Sequence, residues 1–279
     1  MSSTSERDET IRTLSERIKE RKKVLWDVIM TKGTKEWAEK NVNFCIGCSN
    51  DCLYCYAKRI NAQYRSDGID WKIMRINQKK IDKNYRKINK TIMIPSSHDI
   101  TPEILNESLI VLKKLLSAGN KLLLVSKPNL KCIKAIIKMV HENSFKKQIE
   151  FRFTITSYNH SVLKFWEPGA SDFEERLQCL KECYDNGFTT SVSIEPFLDN
   201  VDGVYILVNA LEKFVSNTIW IGTMSNIPKS QIPISEYDRL RNNYSKRNLI
   251  NLIGMLKNNK KIKWKDSIAN QFEKQTTLL

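Results

Sequence analysis

TIMIPSS (91–97) and KLLLVSK (121–127) are two short, nearly continuous apolar runs, and the stretch between them, ITPEILNESLIVLKKLLSAGN (100–120), has the length and apolar spacing of a helix. Thr101 and Pro102 open that helix and Gly119 follows its end, the residue types that suit a helix start and stop. The same unit recurs along the chain. NVNFCI (41–46), IEFRFTITS (149–157), TTSVSIEPF (189–197) and NTIWIGTM (217–224) read as four further strands, with helices over 129–144, 172–186 and 201–215. Apolar strands that each feed a crossover helix predict a parallel sheet covered by helices. Six units are too few for a closed eight-unit barrel, so the expected fold is α/β: a partial (β/α)6 parallel barrel with an N-terminal helical arm and a C-terminal helical extension.

The flanks set the expected organisation. Residues 1–40 alternate charges with Leu14, Ile18, Leu25, Trp26 and Ile29 at helical spacing and predict a charged helical arm. The barrel is expected over 41–226, with a cysteine-rich loop at 45–56, and a basic extension over 227–279 packing on it. In that extension IPKSQIPIS (227–235) reads as a loop, 236–257 as an amphipathic helix, and KIKW (261–264) as a cover for one end of the barrel. Polar residues cluster where the strands end: Ser96, Ser97, His98 and Asp99; Ser126 and Lys127; Thr156 and Ser157; Glu195; Ser225 and Asn226. One rim of the sheet is therefore expected to carry the chemistry.

The chain has 279 residues, 41% of them hydrophobic, enough for a buried core. No apolar run reaches the roughly 20 residues of a membrane span, and MSSTSERDET is polar where a signal peptide is apolar, so a soluble cytoplasmic protein is expected. The net charge of +15 is concentrated: 58–90 holds eleven Lys or Arg against three Asp, and 239–265 holds nine basic residues and no acidic one. Such stretches attract a polyanion, of which nucleic acid is the commonest, or else are solvated surface. Tyr64, Trp71 and Tyr85 are interspersed among the first set, as a strand-stacking surface requires or as core residues of an insertion would be.

Seven cysteines, four of them between Cys45 and Cys55, suit metal binding better than a secreted disulfide framework. Cys48, Cys52 and Cys55 follow the spacing CxxxCxxC. Three thiolates can hold three irons of a [4Fe-4S] cluster and leave the fourth iron open to an outside ligand, which is what permits chemistry at a metal. The alternative is a four-thiolate zinc site that adds Cys45, in a nucleic-acid-binding protein without catalysis. Cys132, and Cys179 and Cys183 four apart on one helix face, read as buried hydrophobes.

With this triplet the chain resembles the radical S-adenosylmethionine superfamily. GCSNDCLYCYA (47–57), RFTITS (152–157) and WEPGASDFEERL (166–177) make it similar to the spore photoproduct lyase-like branch. The resemblance implies that the open iron takes the amino and carboxylate groups of S-adenosylmethionine, and that reductive cleavage releases a 5′-deoxyadenosyl radical. It implies a flavodoxin or ferredoxin as electron donor, Tyr54 against the adenine, and Lys127 and Ser157 as cofactor contacts; a cation and a hydroxyl donor suit a carboxylate. His98 and Asp99 fall near where the superfamily contacts the cofactor's amino group, Ser97 beside them is a further expected cofactor contact, and Glu195 could orient the ribose, act as a base or form a structural salt bridge. Asp99 could bind ligand or cap the next helix. Where the lyase keeps its hydrogen-donating cysteine this chain holds Ser96, whose O–H is too strong a bond to serve as that donor. The substrate is expected to be a nucleic acid, with a peptide or small molecule as the alternative. His141 and His160 read as surface positions.

Overall fold

The structure is a computed structural model that describes residues 36–64 and 68–273. The arm expected over 1–40 thus lies, up to residue 35, outside the described residues. One sheet of seven parallel strands organises the rest, in the order β1 (Lys40–Asn41), β4 (Ile92–Ile94), β5 (Leu122–Ser126), β6 (Ile149–Thr154), β7 (Thr189–Ile194), β8 (Ile219–Ile221) and β9 (Ile262–Trp264). The sheet runs in chain order, so each strand lies beside its predecessor after one crossover. All five residues of β5 are buried, as a strand covered on both faces must be.

The crossover helices are those the sequence expects: α3 (Leu105–Ser117), α4 (Leu130–Glu142), α6 (Phe173–Asp185) and α7 (Val201–Leu211). Asn129, Asp172 and Asn200 cap α4, α6 and α7, each side chain accepting a backbone N–H of the first turn. Their apolar faces and the strands form one continuous core from Phe44 to Ile268. Cys132 on α4 and Cys179 and Cys183 on α6 are fully buried in it, behaving as small hydrophobes. His141 and His160 are exposed.

Two regions depart from expectation. KIKW does not cover an end of the barrel; Ile262–Trp264 is β9, a seventh parallel strand on β8, while the helix expected over 236–257 is two, α8 (Ile234–Asn243) and α9 (Lys246–Leu256). They separate because Ser245 caps the second, accepting from the Asn248 N–H. NVNFCI is likewise not one strand. After Val42, whose N–H still donates to the Met93 carbonyl, the chain leaves the sheet, and β2 (Cys45–Ile46) pairs antiparallel with β3 (Arg75–Ile76). The cysteine loop, α1 (Tyr56–Tyr64) and the segment up to Met74 are carried on this hairpin.

The gap between β1 and β9 is sealed by side chains. Lys265, just past β9, is 2% exposed and sets its Nζ 3.1 Å from Glu36 Oε1, 3.6 Å from Glu195 Oε2 and over the Trp37 ring. Arg152 packs over Trp37 and Trp220 beside it, tied to Glu150 and Ser191. No helix among the described residues is long and apolar enough to cross a membrane.

Candidate active site

A cavity of about 530 Å³ opens at the C-terminal ends of the strands. Its wall is built in chain order by Trp37 before β1, Pro95–Asp99 after β4, Lys127 after β5, Thr154 at the end of β6, Glu195 after β7, Thr223–Ser225 after β8 and Lys265–Ser267 after β9. Cys48, Cys52, Tyr54 and Cys55 close one side. The hairpin excursion thus delivers the CxxxCxxC loop to the rim predicted to carry chemistry.

The cysteine loop is held by close backbone contact. Gly47 has φ of +95°, and a Cβ there would lie 2.3 Å from the Ile73 carbonyl oxygen. Across the loop, Gly169 donates to the Asn50 carbonyl, and a Cβ on Gly169 would meet the Ser49 carbonyl oxygen at 2.2 Å. Leu53 donates to the Trp166 carbonyl in the same way. The WEPGAS segment is therefore the clamp on the cysteine loop. Behind it Glu167, 1% exposed, forms an ion pair with Arg176 at 2.6 Å and accepts hydrogen bonds from Tyr54 and Thr156. Burial works against the Glu167 charge, but Arg176 and Lys127 hold its carboxyl below the usual range.

The three thiols share the cavity. Backbone N–H groups of Asp99 and Lys58 point at Cys48 Sγ and Cys55 Sγ, each at 3.4 Å. Burial pushes the Cys48 thiol up to about 12, with Asp99 adding to the effect, and raises Cys52 and Cys55 as well. Thiolates in this setting need a bound cation to offset the cost of their charge, and soft sulfur donors suit iron or zinc. Among the described residues no three His, Cys, Asp or Glu groups stand where they could hold one metal ion. A cluster takes one thiolate per iron, so its ligands stand farther apart than those on a single ion. Cys45 turns away, its thiol facing the carbonyls of Ile46 and Gly47, and it packs in the main core.

Other expected residues divide into two groups. Tyr54, Ser97, His98, Lys127 and Glu195 all line the cavity. Ser157 does not come to that wall. It is fully buried, donates to Asp199 Oδ1 at 2.7 Å, and accepts from the Asn159 N–H. A hydroxyl after β6 is legible in sequence, but its aspartate, 42 residues away, is not. Asp99 caps no helix. It accepts from the Lys127 N–H, Ser126 and Asn50, and its Oδ2 lies 3.6 Å from Lys127 Nζ. Lys127 in turn sits over the Tyr54 ring. Asn43 fixes the loop after β4, accepting from the N–H groups of Ser96 and Ser97.

Residues around the cavity include buried polar atoms without a partner. His98 is 6% exposed, with its ring edge against Phe44; burial draws its pKa down to about 4, so it is neutral at pH 7. Its Nε2, and the indole N–H groups of Trp37 and Trp71, have no hydrogen-bond partner among the described residues. All three residues line this cavity. Buried polar atoms left unpaired cost about 1–3 kcal/mol each, and these three nitrogens are enclosed in the protein rather than open to the cavity.

No family model matches the chain. It is 25% identical over 173 residues to uncharacterized protein ORF301 of Acidianus two-tailed virus, a match over 57% of this chain and 55% of that protein. It is 26% identical over 171 residues to uncharacterized protein MJ0683 of Methanocaldococcus jannaschii, over 60% and 63% respectively. The chain spans less than two thirds of either relative's length. Among solved structures it superposes on a cysteine-to-serine mutant of spore photoproduct lyase with a TM-score of 0.53 at 15% identity, covering 85% of this chain and 78% of that one. A double mutant of the lyase with bound AdoMet and dinucleoside spore photoproduct gives 0.50 at 17% identity, covering 78% and 64%. The likeness is one of fold alone, shared with spore photoproduct lyase.

Proposed function

We propose that the chain is a radical S-adenosylmethionine enzyme of the spore photoproduct lyase-like kind, with a [4Fe-4S] cluster on Cys48, Cys52 and Cys55 and a nucleic-acid substrate. The observation that carries this reading is the arrival of all three thiols of one CxxxCxxC loop at a cavity lined by the polar strand ends. When bound, the cluster and S-adenosylmethionine supply, after one-electron reduction by a flavodoxin or ferredoxin, a carbon radical able to take a hydrogen atom.

The chain's own residues bind, orient and shield. Tyr54, tied to Glu167, presents a flat ring for an adenine, and Lys127 offers a cation for a carboxylate while Asp99 fixes its position. His98, being neutral, can accept or donate at Nε2 but carries no charge to an ammonium group. Glu195 faces the cavity beside Lys265, and a carboxyl there suits a ribose hydroxyl. Ser96, held by Asn43, keeps a hydroxyl where a hydrogen-donating thiol would be needed for photoproduct repair, so the reaction is a different one on a related substrate.

Anaerobic reconstitution tests the reading. The reduced protein should bind iron and sulfide and form 5′-deoxyadenosine. Cys48→Ala, Cys52→Ala or Cys55→Ala should each lower iron content and abolish that product, while Cys179→Ala, in the helix layer, should leave both intact. A protein that takes up a single zinc and no iron or sulfide would end the proposal.

A further inference from the structure

Trp166 supports the cysteine loop and is itself held from the C-terminal extension. It is fully buried, its carbonyl accepts from the Leu53 N–H at 2.9 Å, and its ring leans on Tyr54 with 6.3 Å between centroids. Leu53 and Tyr54 are the two residues between Cys52 and Cys55, so the second half of the CxxxCxxC loop rests on this tryptophan. The indole N–H donates in turn to Glu236 Oε1 at 2.7 Å. Glu236 stands on α8, 70 residues further along the chain.

The Glu236 carboxylate is fixed at both oxygens. Arg239 donates to Oε2 through Nε at 2.8 Å and to Oε1 through Nη2 at 2.5 Å, while its Nη1 donates to the Leu198 carbonyl at 2.8 Å. Leu198 is tied to the sheet, its N–H donating to the Thr156 carbonyl just past β6. Hydrogen bonds from Arg239 and Trp166 hold the Glu236 carboxyl below its usual range, so it is charged at pH 7 and makes the stronger kind of bond to an N–H. Fastening α8 to the barrel does not need this bond. Arg239 on Leu198, Asn243 on the Asp199 carbonyl and the Tyr244 hydroxyl on the Phe197 carbonyl already tie the helix to the loop after β7, whereas Glu236 reaches across to the clamp.

We infer that Glu236 is a positioning residue for the cysteine loop, acting through Trp166, so that the C-terminal extension helps to shape the cluster site. This deepens the radical-enzyme reading given above and rests on it. Alkylation of the full chain by iodoacetamide, after removal of metal with a chelator and read cysteine by cysteine by mass spectrometry, tests it. Cys52 is 5% exposed and reacts only when the loop opens locally. Glu236→Ala should speed its labelling by about tenfold, the scale of losing one hydrogen bond to a charged group, and leave Cys179 in the helix layer as slow as in wild type. Glu236→Gln keeps an oxygen for the indole N–H and should bring Cys52 back to nearly the wild-type rate. Unchanged Cys52 labelling in Glu236→Ala, failure of the Gln variant to restore it, or Cys52 and Cys179 speeding up together would overturn the inference. Should Glu236→Ala not fold, Glu236→Asp, which keeps a charge beside Arg239 but shortens the reach to Trp166, takes its place with the same expectations. The labelling needs no cluster, so iron and sulfide uptake by the wild-type chain reads the radical-enzyme proposal separately.

Discussion

Glu195 stands at the cavity wall with its carboxylate facing Lys265, yet burial outweighs that attraction, and the nearby Glu36 and Asp266 add to it, so its pKa is pushed up to about 7. A carboxyl that holds its proton more tightly in the folded chain adds stability that is fully present below its ordinary value of about 4.5 and is lost as pH rises through about 7. Glu195→Gln removes this loss. The urea midpoint of the Gln variant should therefore gain on wild type as pH rises across that window; parallel pH profiles would show that Lys265 cancels the burial cost. Glu195 was legible because it ends a strand before a proline, and Lys127 because it ends another. What escaped were pairings with distant residues. Glu167 lies within a quoted motif, but its role depends on Arg176 one helix later and on Tyr54 113 residues earlier. Asp99 could bind ligand or cap the next helix by its place in the sequence; in space it is tied to Lys127, through both the backbone N–H and the ammonium group.

At the level of elements, the segment between α5 (His160–Trp166) and α6 matters as much to the site as the strands do. Gly169 lets the backbone of this segment touch the cysteine loop, and an added methyl would press on backbone atoms that cannot rotate away. Gly169→Ala should therefore displace Ser49 and Asn50 at a cost of about 1–3 kcal/mol. Its expected mark is a several-fold loss of bound iron after reconstitution, with the far-ultraviolet circular dichroism of the barrel unchanged. Retention of full iron content would mean that the clamp is not needed to shape the loop. Five of the six expected barrel strands, which are β4 to β8, and the four crossover helices could be read from periodicity, since buried strands and amphipathic helices repeat their patterns locally. β1, β2, β3 and β9 could not. Two- and three-residue strands carry too little alternation to register, and β9 exists because β8 offers it an edge.

Over the whole molecule, folding takes three cations of the C-terminal basic stretch into its own contacts, while Arg241, Lys246, Arg247, Lys257, Lys260 and Lys263 of the same stretch stay exposed. Lys265 is buried between carboxylates, Arg239 is paired with Glu236, and Lys261 donates to the carbonyls of Glu212 and Val215. Those cations serve the fold and are not free to neutralise phosphates. On α1, and on α2 (Gln78–Asp82) and the chain after it, Arg59, Lys79, Lys80, Lys83, Arg86 and Lys87 are exposed, and none is in an ion pair among the described residues. If these six meet the phosphates of a single strand, log K should fall with log salt at a slope of about −4, since each contact contributes about −0.7. Affinity for an oligothymidine should then drop by roughly two to three orders of magnitude between about 50 and 200 mM salt. Neutralising Lys79, Lys80 and Lys83 together should cut the slope by about 2, because three counterions fewer are released. The same triple change should leave the melting temperature nearly unaltered, as exposed lysines contribute little to stability. A wild-type slope shallower than about −1 would mean that this charge is solvated surface, and the polyanion would have to be given up as the substrate.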